Sequence, residues 1–521
     1  MSLPDPDKNA ALQALQIEAG LEAYDSALTV REARHLLRRT SFGADPTVVP
    51  SFVGRVGSEV ANEIVDEAVG FSLPVNPAWA NTNAPGYNAS DEEWQQYTDN
   101  TFLWLDEYRR DWVTLMLERG LIEKMTVFWH NHFVTNQEMY FHAQVAHRYI
   151  SVLRSHALGN FKQLVYLIGL EGAMLIYLNG VDNAAGSPNE NYGRELLELF
   201  TMGILNGDGE KNYSEDDIQQ IARCLTGWQF DWVGLHPYFD NGRFDSGSKT
   251  VFGVEGTYDY DQLIDLIFEQ RGQEIAQYIC RKLYREFVYE APDETIVDSL
   301  ASTMIANDFE IEPVLRELLA SAHFFDPLVI GAKLKSPLEM KVGFFKEVVA
   351  PLEPDLVQII PWASWELEQI LLNIQSVAGW PRHRNWIDTR TIPSRWGVID
   401  WMVWVGEEED RYSLDPFMNA ITDPTDSQIA FKFATAVVEA LFAPEISDLD
   451  IEVITTPFSG DLNSNPIPSE IANGPEYRIN LAKMFLSGIP WYEWSPYNTE
   501  LDWVKRLFLA QITRLPEFQM T

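Results

Sequence analysis

Apolar positions recur three and four residues apart over most of this chain, the spacing of a helix that buries one face. Asn9 to Tyr24 is a first amphipathic stretch, and Val30 to Arg39 is a second, with Thr29 placed as its N-cap. Ser41 to Pro50 and Pro77 to Ser90 carry the Gly, Pro and Asn of turns and loops. Asp91 to Phe133 predicts one or two long helices, continued by Phe141 to Leu158 and Phe161 to Ile168. A loop over Gly180 to Pro188 precedes a helix over Asn189 to Met202. Ser214 opens the next helix, and Asp217 stands three residues on, as a capping box requires. Tyr260 to Phe287, Glu294 to Asn307, Glu312 to Ala322, Ser336 to Val349, Glu366 to Leu372, Thr425 to Phe442 and Glu476 to Leu486 complete the helical set.

Three stretches break the pattern. Residues 227–258 are rich in Trp, Phe, Asp and Gly and predict a short hairpin or an ordered loop. Residues 446–468, with Pro, Ser, Asn and Asp, predict a linker or small excursion. Gly379 to Arg395 is a Trp-rich turn segment. Strand-like alternation is scarce and no repeat stands out. The expected fold is mainly α: one large multi-helix body over residues 1–521, with irregular Trp/Gly/Pro-rich loops and at most short β-hairpins.

Composition sets limits on function. Against 77 Asp plus Glu stand 38 Lys plus Arg, a net charge of -39. Such a balance excludes nucleic acid, whose phosphates need a basic surface, and anionic lipid. It allows a neutral or basic partner, or a saline habitat. No run of about 18 apolar residues exists, so membrane insertion is not expected. The opening residues show no basic start and no apolar stretch, so no secretory signal is visible; a cytoplasmic setting, or export in complex, is the expectation. The two cysteines, Cys224 and Cys280, lie among apolar helical residues and predict buried free thiols, with a single disulfide between them as the alternative.

Several segments, in order, resemble the bacterial family catalogued as domain of unknown function 1800. They are His35 to Gly43 (HLLRRTSFG), Lys124 to Thr135 (KMTVFWHNHFVT), His156 to Leu164 (HALGNFKQL) and Ala173 to Gly180 (AMLIYLNG). Pro188 to Gly203 (PNENYGRELLELFTMG), Tyr213 to Trp228 (YSEDDIQQIARCLTGW) and Gly331 to Val342 (GAKLKSPLEMKV) follow. Ser376 to Ile387 (SVAGWPRHRNWI) and Leu515 to Gln519 (LPEFQ) close the series. The resemblance implies a mainly helical fold and little settled chemistry. It also implies an envelope or secreted setting, with a sulfatase-like, export-tagged companion as candidate partner. One departure stands out. The family usually has His-Asp in a segment like HDxGxKxxxG, and here Phe244 precedes Asp245, so a role resting on that histidine is not expected of this chain.

Four groups of residues have chemical potential. Asn191, Arg194, Glu195 and Glu198 fall at i, i+3, i+4 and i+7 of one helix, hence on one face, while Leu196, Leu197 and Phe200 cover much of the rest. Carboxylates so placed invite shifted pKa values and acid/base work; an internal salt-bridge network is the alternative. His130 and His132 are the right ligand types for one divalent metal ion, provided the helix ends between them. In a continuing helix they point nearly opposite ways. Trp380, Arg382 and Trp386 form an aromatic-basic loop suited to a sugar or peptide group, or to plugging the core. Arg38, beside His35, is an anion clamp or an interior partner for an acidic helix. His142 and His147 are five apart and predict ordinary surface or interface histidines.

These observations lead to two expectations. One is a hydrolase-type enzyme, metal-assisted through His130 and His132, acting on a saccharide or another envelope-related polymer. Glu195 or Glu198 would be its acid or base, and Arg194 would hold an anionic group. The other is a non-catalytic binding or assembly protein that acts with the sulfatase-like companion.

Overall fold

The computed structural model describes residues 15–405, 412–423, 425–444, 464–495, 498 and 502–521. Helices build nearly all of it, and their starts follow the sequence closely. Thr29, Ser90, Ser214, Asp259 and Ser336 each accept from the backbone N–H three residues on, and the side chain there reaches back to the cap. Each such box satisfies two amides that the first helical turn cannot. The chain is mainly α, as its periodicity requires.

The long predicted stretch from Asp91 divides at Arg119 and Gly120 into helices Asp91–Glu118 and Leu121–His132. A single 28-residue helix, Tyr260–Phe287, is broken at Arg271, whose backbone (φ -133°, ψ 23°) is not helical. Its second half carries Tyr278, Arg281, Lys282 and Arg285. The 227–258 region holds two antiparallel hairpins, Trp228–Asp231 with His236–Phe239 and Lys249–Val251 with Val254–Gly256.

One continuous buried apolar cluster runs from Leu28 to Phe518. The C-terminal segment is stitched to it through backbone bonds. Thr521 N–H donates to Lys333 O at 2.7 Å, and Lys335 N–H donates to Gln519 O at 2.8 Å. Both cysteines are buried and free. Among the described residues no helix is long and apolar enough to cross a membrane.

Three of the predicted helices depart from their expected form. Residues 15–24 are not helical: Tyr24 N–H donates to Ala320 O at 2.9 Å, and Ala322 N–H donates to Glu22 O at 2.8 Å. The amphipathic spacing there serves an extended segment, whose Tyr24 ring stacks on Phe325 at 4.5 Å. Glu366 to Leu372 is a series of turns, because Glu368 (φ 59°) and Leu372 (φ 68°) take the left-handed conformation that ends a helix. The helix expected over Asn189 to Met202 is α-helical only over Asn191–Glu195 and continues as a π-helix over Leu196–Thr201. Of the excursion expected at 446–468, residues 446–463 lie outside the described residues.

Candidate functional site

The Asn191 helix is placed by Asn183, whose Oδ1 accepts from Asn189 N–H and whose Nδ2 donates to Ala222 O, both at 2.9 Å. Its polar face is half-buried, lining the surface and not the interior. Arg194, 34% exposed, is shared among Glu215 (2.9 Å), Glu190 (3.4 Å) and Glu198 (3.5 Å). Three carboxylates occupy it, so the guanidinium expected to hold an anionic group is already taken. Asn191 is exposed, and its Nδ2 reaches Leu178 O only at 3.5 Å.

Glu195 is the group with a shifted carboxyl. Burial pushes it up to about 7, the Glu198 carboxylate adds to the rise, and Arg194 partly offsets it. Burial and the neighbouring Glu198 carboxylate raise the Tyr213 phenol. On the other side stands Tyr278, whose Oη donates to Leu199 O at 3.1 Å. Burial pushes Tyr278 up to about 12; its charged neighbours are Arg382, Arg285, Arg281 and Glu195. Glu195 and Arg382, two of the residues singled out in the sequence, thus both act on the Tyr278 phenol through their charge.

Lys282, one helical turn beyond Tyr278, places its Nζ 4.8 Å from the centre of that ring. It donates to His132 Nδ1 at 2.9 Å and to Leu199 O at 3.3 Å. Burial holds its pKa well below the usual lysine range, and Arg382 and Arg285 add to the effect. Neither Tyr278 nor Lys282 was singled out by sequence. The available signal was three cations, Arg281, Lys282 and Arg285, within five residues of a chain poor in cations.

The two expected metal ligands are not brought together. The helix runs through His132, so His130 and His132 project into different surroundings. His132 Nε2–H donates to Phe200 O at 2.9 Å while its Nδ1 accepts from Lys282, so both nitrogens are occupied. His130 Nε2 accepts from Leu372 N–H at 3.1 Å, and its ring lies among Trp112, Tyr149 and Trp380. Burial holds His130 down to about 3 and His132 well below the usual histidine range. Among the described residues no group of three or more His, Cys, Asp or Glu could hold a metal ion.

Trp380 and Trp386 are both buried, so they plug the core and offer no stacking surface. Trp380 N–H donates to Asn131 Oδ1 at 2.7 Å. Gly379 (φ 93°) permits that approach, because a Cβ there would sit 2.7 Å from the same oxygen. Arg382 is the accessible member of this loop at 38% exposed, with Nε 3.8 Å from Glu290 Oε1. Arg38 is an interior partner: its Nε donates to Glu347 Oε1 at 2.6 Å and its Nη2 to Ala440 O at 2.5 Å. His142 and His147, expected at the surface, are buried, in ring contact with Tyr97 and Trp79 respectively.

Where the family has histidine, the Phe244 ring lies 4.9 Å from Lys249 Nζ. Lys249 Nζ also donates to Gly247 O (3.2 Å) and Tyr258 O (3.0 Å), and Arg223 Nε donates to Asp245 Oδ2 at 2.7 Å. In this chain the segment ties down a hairpin. A cavity of about 300 Å³ lined by Tyr108, Trp112, His147 and Arg154 contains none of the expected site residues. Its Arg154 is paired with buried Glu123 at 2.6 Å.

No curated protein and no solved structure matches the chain. The model of one family, described as a protein of unknown function (DUF1800), matches residues 35–520, and the chain belongs to that family.

Proposed function

We propose that this protein is a hydrolase-type enzyme that uses Glu195 as its proton carrier and acts on a saccharide or another envelope-related polymer. The observation that carries this reading is the Glu195 carboxyl, held at about 7 by burial and by Glu198. A group so poised is half protonated at neutral pH and can both give and take a proton, the condition for efficient acid/base catalysis. In its acid form Glu195 gives its proton to the oxygen of the bond being broken. As carboxylate it then takes the proton of the water that adds to the other fragment.

Glu198 acts through Glu195. Its carboxylate, 3.5 Å from Arg194, adds to the rise of the Glu195 pKa. It is a positioning residue. Glu195 and Glu198 sit one turn apart on a single helix, so they do not flank a bond as the paired acids of glycosidases do. The reading therefore rests on one acid/base group. The metal assistance expected from sequence has no support in the positions of His130 and His132.

The test is release of new chain ends from a panel of polysaccharides and peptidoglycan. Glu195→Gln should lower turnover about 10²–10⁴-fold. Full activity in that variant would sink the reading.

A second reading, an assembly protein for a sulfatase-like companion, is favoured by Trp362 and Trp365, which are 64% and 56% exposed. A stoichiometric complex that survives Glu195→Gln but not Trp362→Ser with Trp365→Ser would support it.

A further inference from the structure

The chain carries a large negative charge, yet the surroundings of Tyr278 reverse that sign. Arg281, Lys282 and Arg285 lie on one helix segment, and Arg382 of the Gly379 loop reaches Glu290, whose backbone carbonyl holds Arg285. Arg281 is spent on Glu294 at 2.7 Å. Of the other three, Arg382 has the Glu290 carboxylate 3.8 Å from its Nε. Glu290 gives Arg285 only a backbone carbonyl, at 3.2 Å from Nε. No carboxylate lies within ion-pair distance of Lys282 among the described residues, and its acceptors are His132 Nδ1 and Leu199 O.

Donors remain unspent. The terminal guanidinium nitrogens of Arg285 and Arg382 meet no hydrogen-bond acceptor among the described residues, yet they are not sealed away from solvent. Two planar forks left free beside one glutamate form an arrangement that an anion completes. Arginine forks match the paired oxygens of a carboxylate, sulfate or phosphate.

We propose that Arg285 and Arg382 form a binding site for a small oxyanion, the charged substituent of the substrate. The site is argued from its own donors; that its occupant belongs to the substrate rests on the hydrolase reading. Arg285 and Arg382 supply the planar donors. The substrate class is then an acidic saccharide or polymer, one carrying carboxylate, sulfate or phosphate groups.

The experiment is a calorimetric titration of the full chain with inorganic sulfate, and separately with inorganic phosphate, at constant ionic strength set by sodium chloride. Saturable binding at one site is expected. Arg382→Gln and Arg285→Gln should each weaken it at least tenfold. Arg384→Gln, which removes an exposed cation from the same loop, should leave it unchanged. Heat that follows ionic strength alone, or equal affinity in Arg285→Gln and Arg382→Gln, overturns the proposal. Glu195→Gln should bind sulfate at least as well as the native chain. Loss of catalysis with sulfate binding intact therefore separates the fate of this site from that of the hydrolase reading. Because Arg382 lies on a half-exposed loop, Arg382→Gln keeps the test available if Arg285→Gln does not fold.

Discussion

Lys282 Nζ lies 2.9 Å from His132 Nδ1, and His132 passes the link on to Phe200 O through Nε2–H at 2.9 Å. The carbonyl acceptor fixes the imidazole with its proton on Nε2, so Nδ1 must accept and the lysine must donate. His132→Ala should therefore cost about 2–4 kcal/mol, from the cavity and from the partners left short. Lys282→Met, which removes only the head of a side chain, should cost less. Urea denaturation of both variants checks the order, and a smaller loss for His132→Ala would contradict it.

Acid should unfold this protein early. His35, His130 and His132 are held well below the usual histidine range, mainly by burial. A histidine of depressed pKa is neutral in the fold but charges in the unfolded chain once pH falls below about 6.5. Stability is then complete above that value and is lost toward pH 3. Each such group contributes a slope of about 1.4 kcal/mol per pH unit, so three give roughly 4 kcal/mol per unit. Thermal melts from pH 7 to pH 4 should show it, and a flat Tm would refute it.

Glu195 works in the opposite direction. Its carboxyl sits at about 7 in the fold against an ordinary value of 4.5. Between those values the folded chain holds a proton the unfolded chain has lost, so the stability it contributes falls as pH rises. With allowance for solvent screening, native stability should drop about 1–2 kcal/mol relative to Glu195→Gln between pH 4.5 and pH 7.5. Paired urea curves at the two pH values test this. An unchanged difference would mean an ordinary exposed carboxyl.

Gly379→Ala should be among the more damaging single-methyl additions. The backbone there has φ 93°, and the new Cβ would sit 2.7 Å from Asn131 Oδ1 and 2.8 Å from Asn131 O. Strain and displacement together predict about 2–4 kcal/mol, with the Trp380 bond to Asn131 weakened as well. Tm and Trp fluorescence would report both effects.

Local signals were legible in the sequence, and long-range ones were not. Thr29 and Ser214 were readable as caps because a cap is defined by residues three apart. Helix Glu476–Leu486 has the bounds its periodicity predicts. Residues 15–24 misled because an extended segment paired to Ala320 and Ala322 can carry the same apolar spacing. Glu366 to Leu372 misled because the left-handed turn at Leu372 aims its N–H at His130, a partner 242 residues away. Within the site, Glu195 and Arg382 stood out by type and setting. Tyr278 and Lys282 did not, since on an amphipathic helix a Tyr and a Lys one turn apart look like any half-buried face. Only folding shows that Lys282 lacks a carboxylate and that its Nζ meets His132.

The π-helix at Leu196–Thr201 makes this neighbourhood sensitive to chain length. A π turn holds more residues than an α turn, and its end presents the Leu199 and Phe200 carbonyls to three side chains: Tyr278, Lys282 and His132. Deleting one residue between 196 and 201 would let the helix relax to α without breaking it. The following carbonyls would then swing out of register with all three partners at once. Substitutions here are a matter of packing, but the count of residues is itself a constraint. A one-residue deletion should cost far more than any single side-chain replacement in the same stretch.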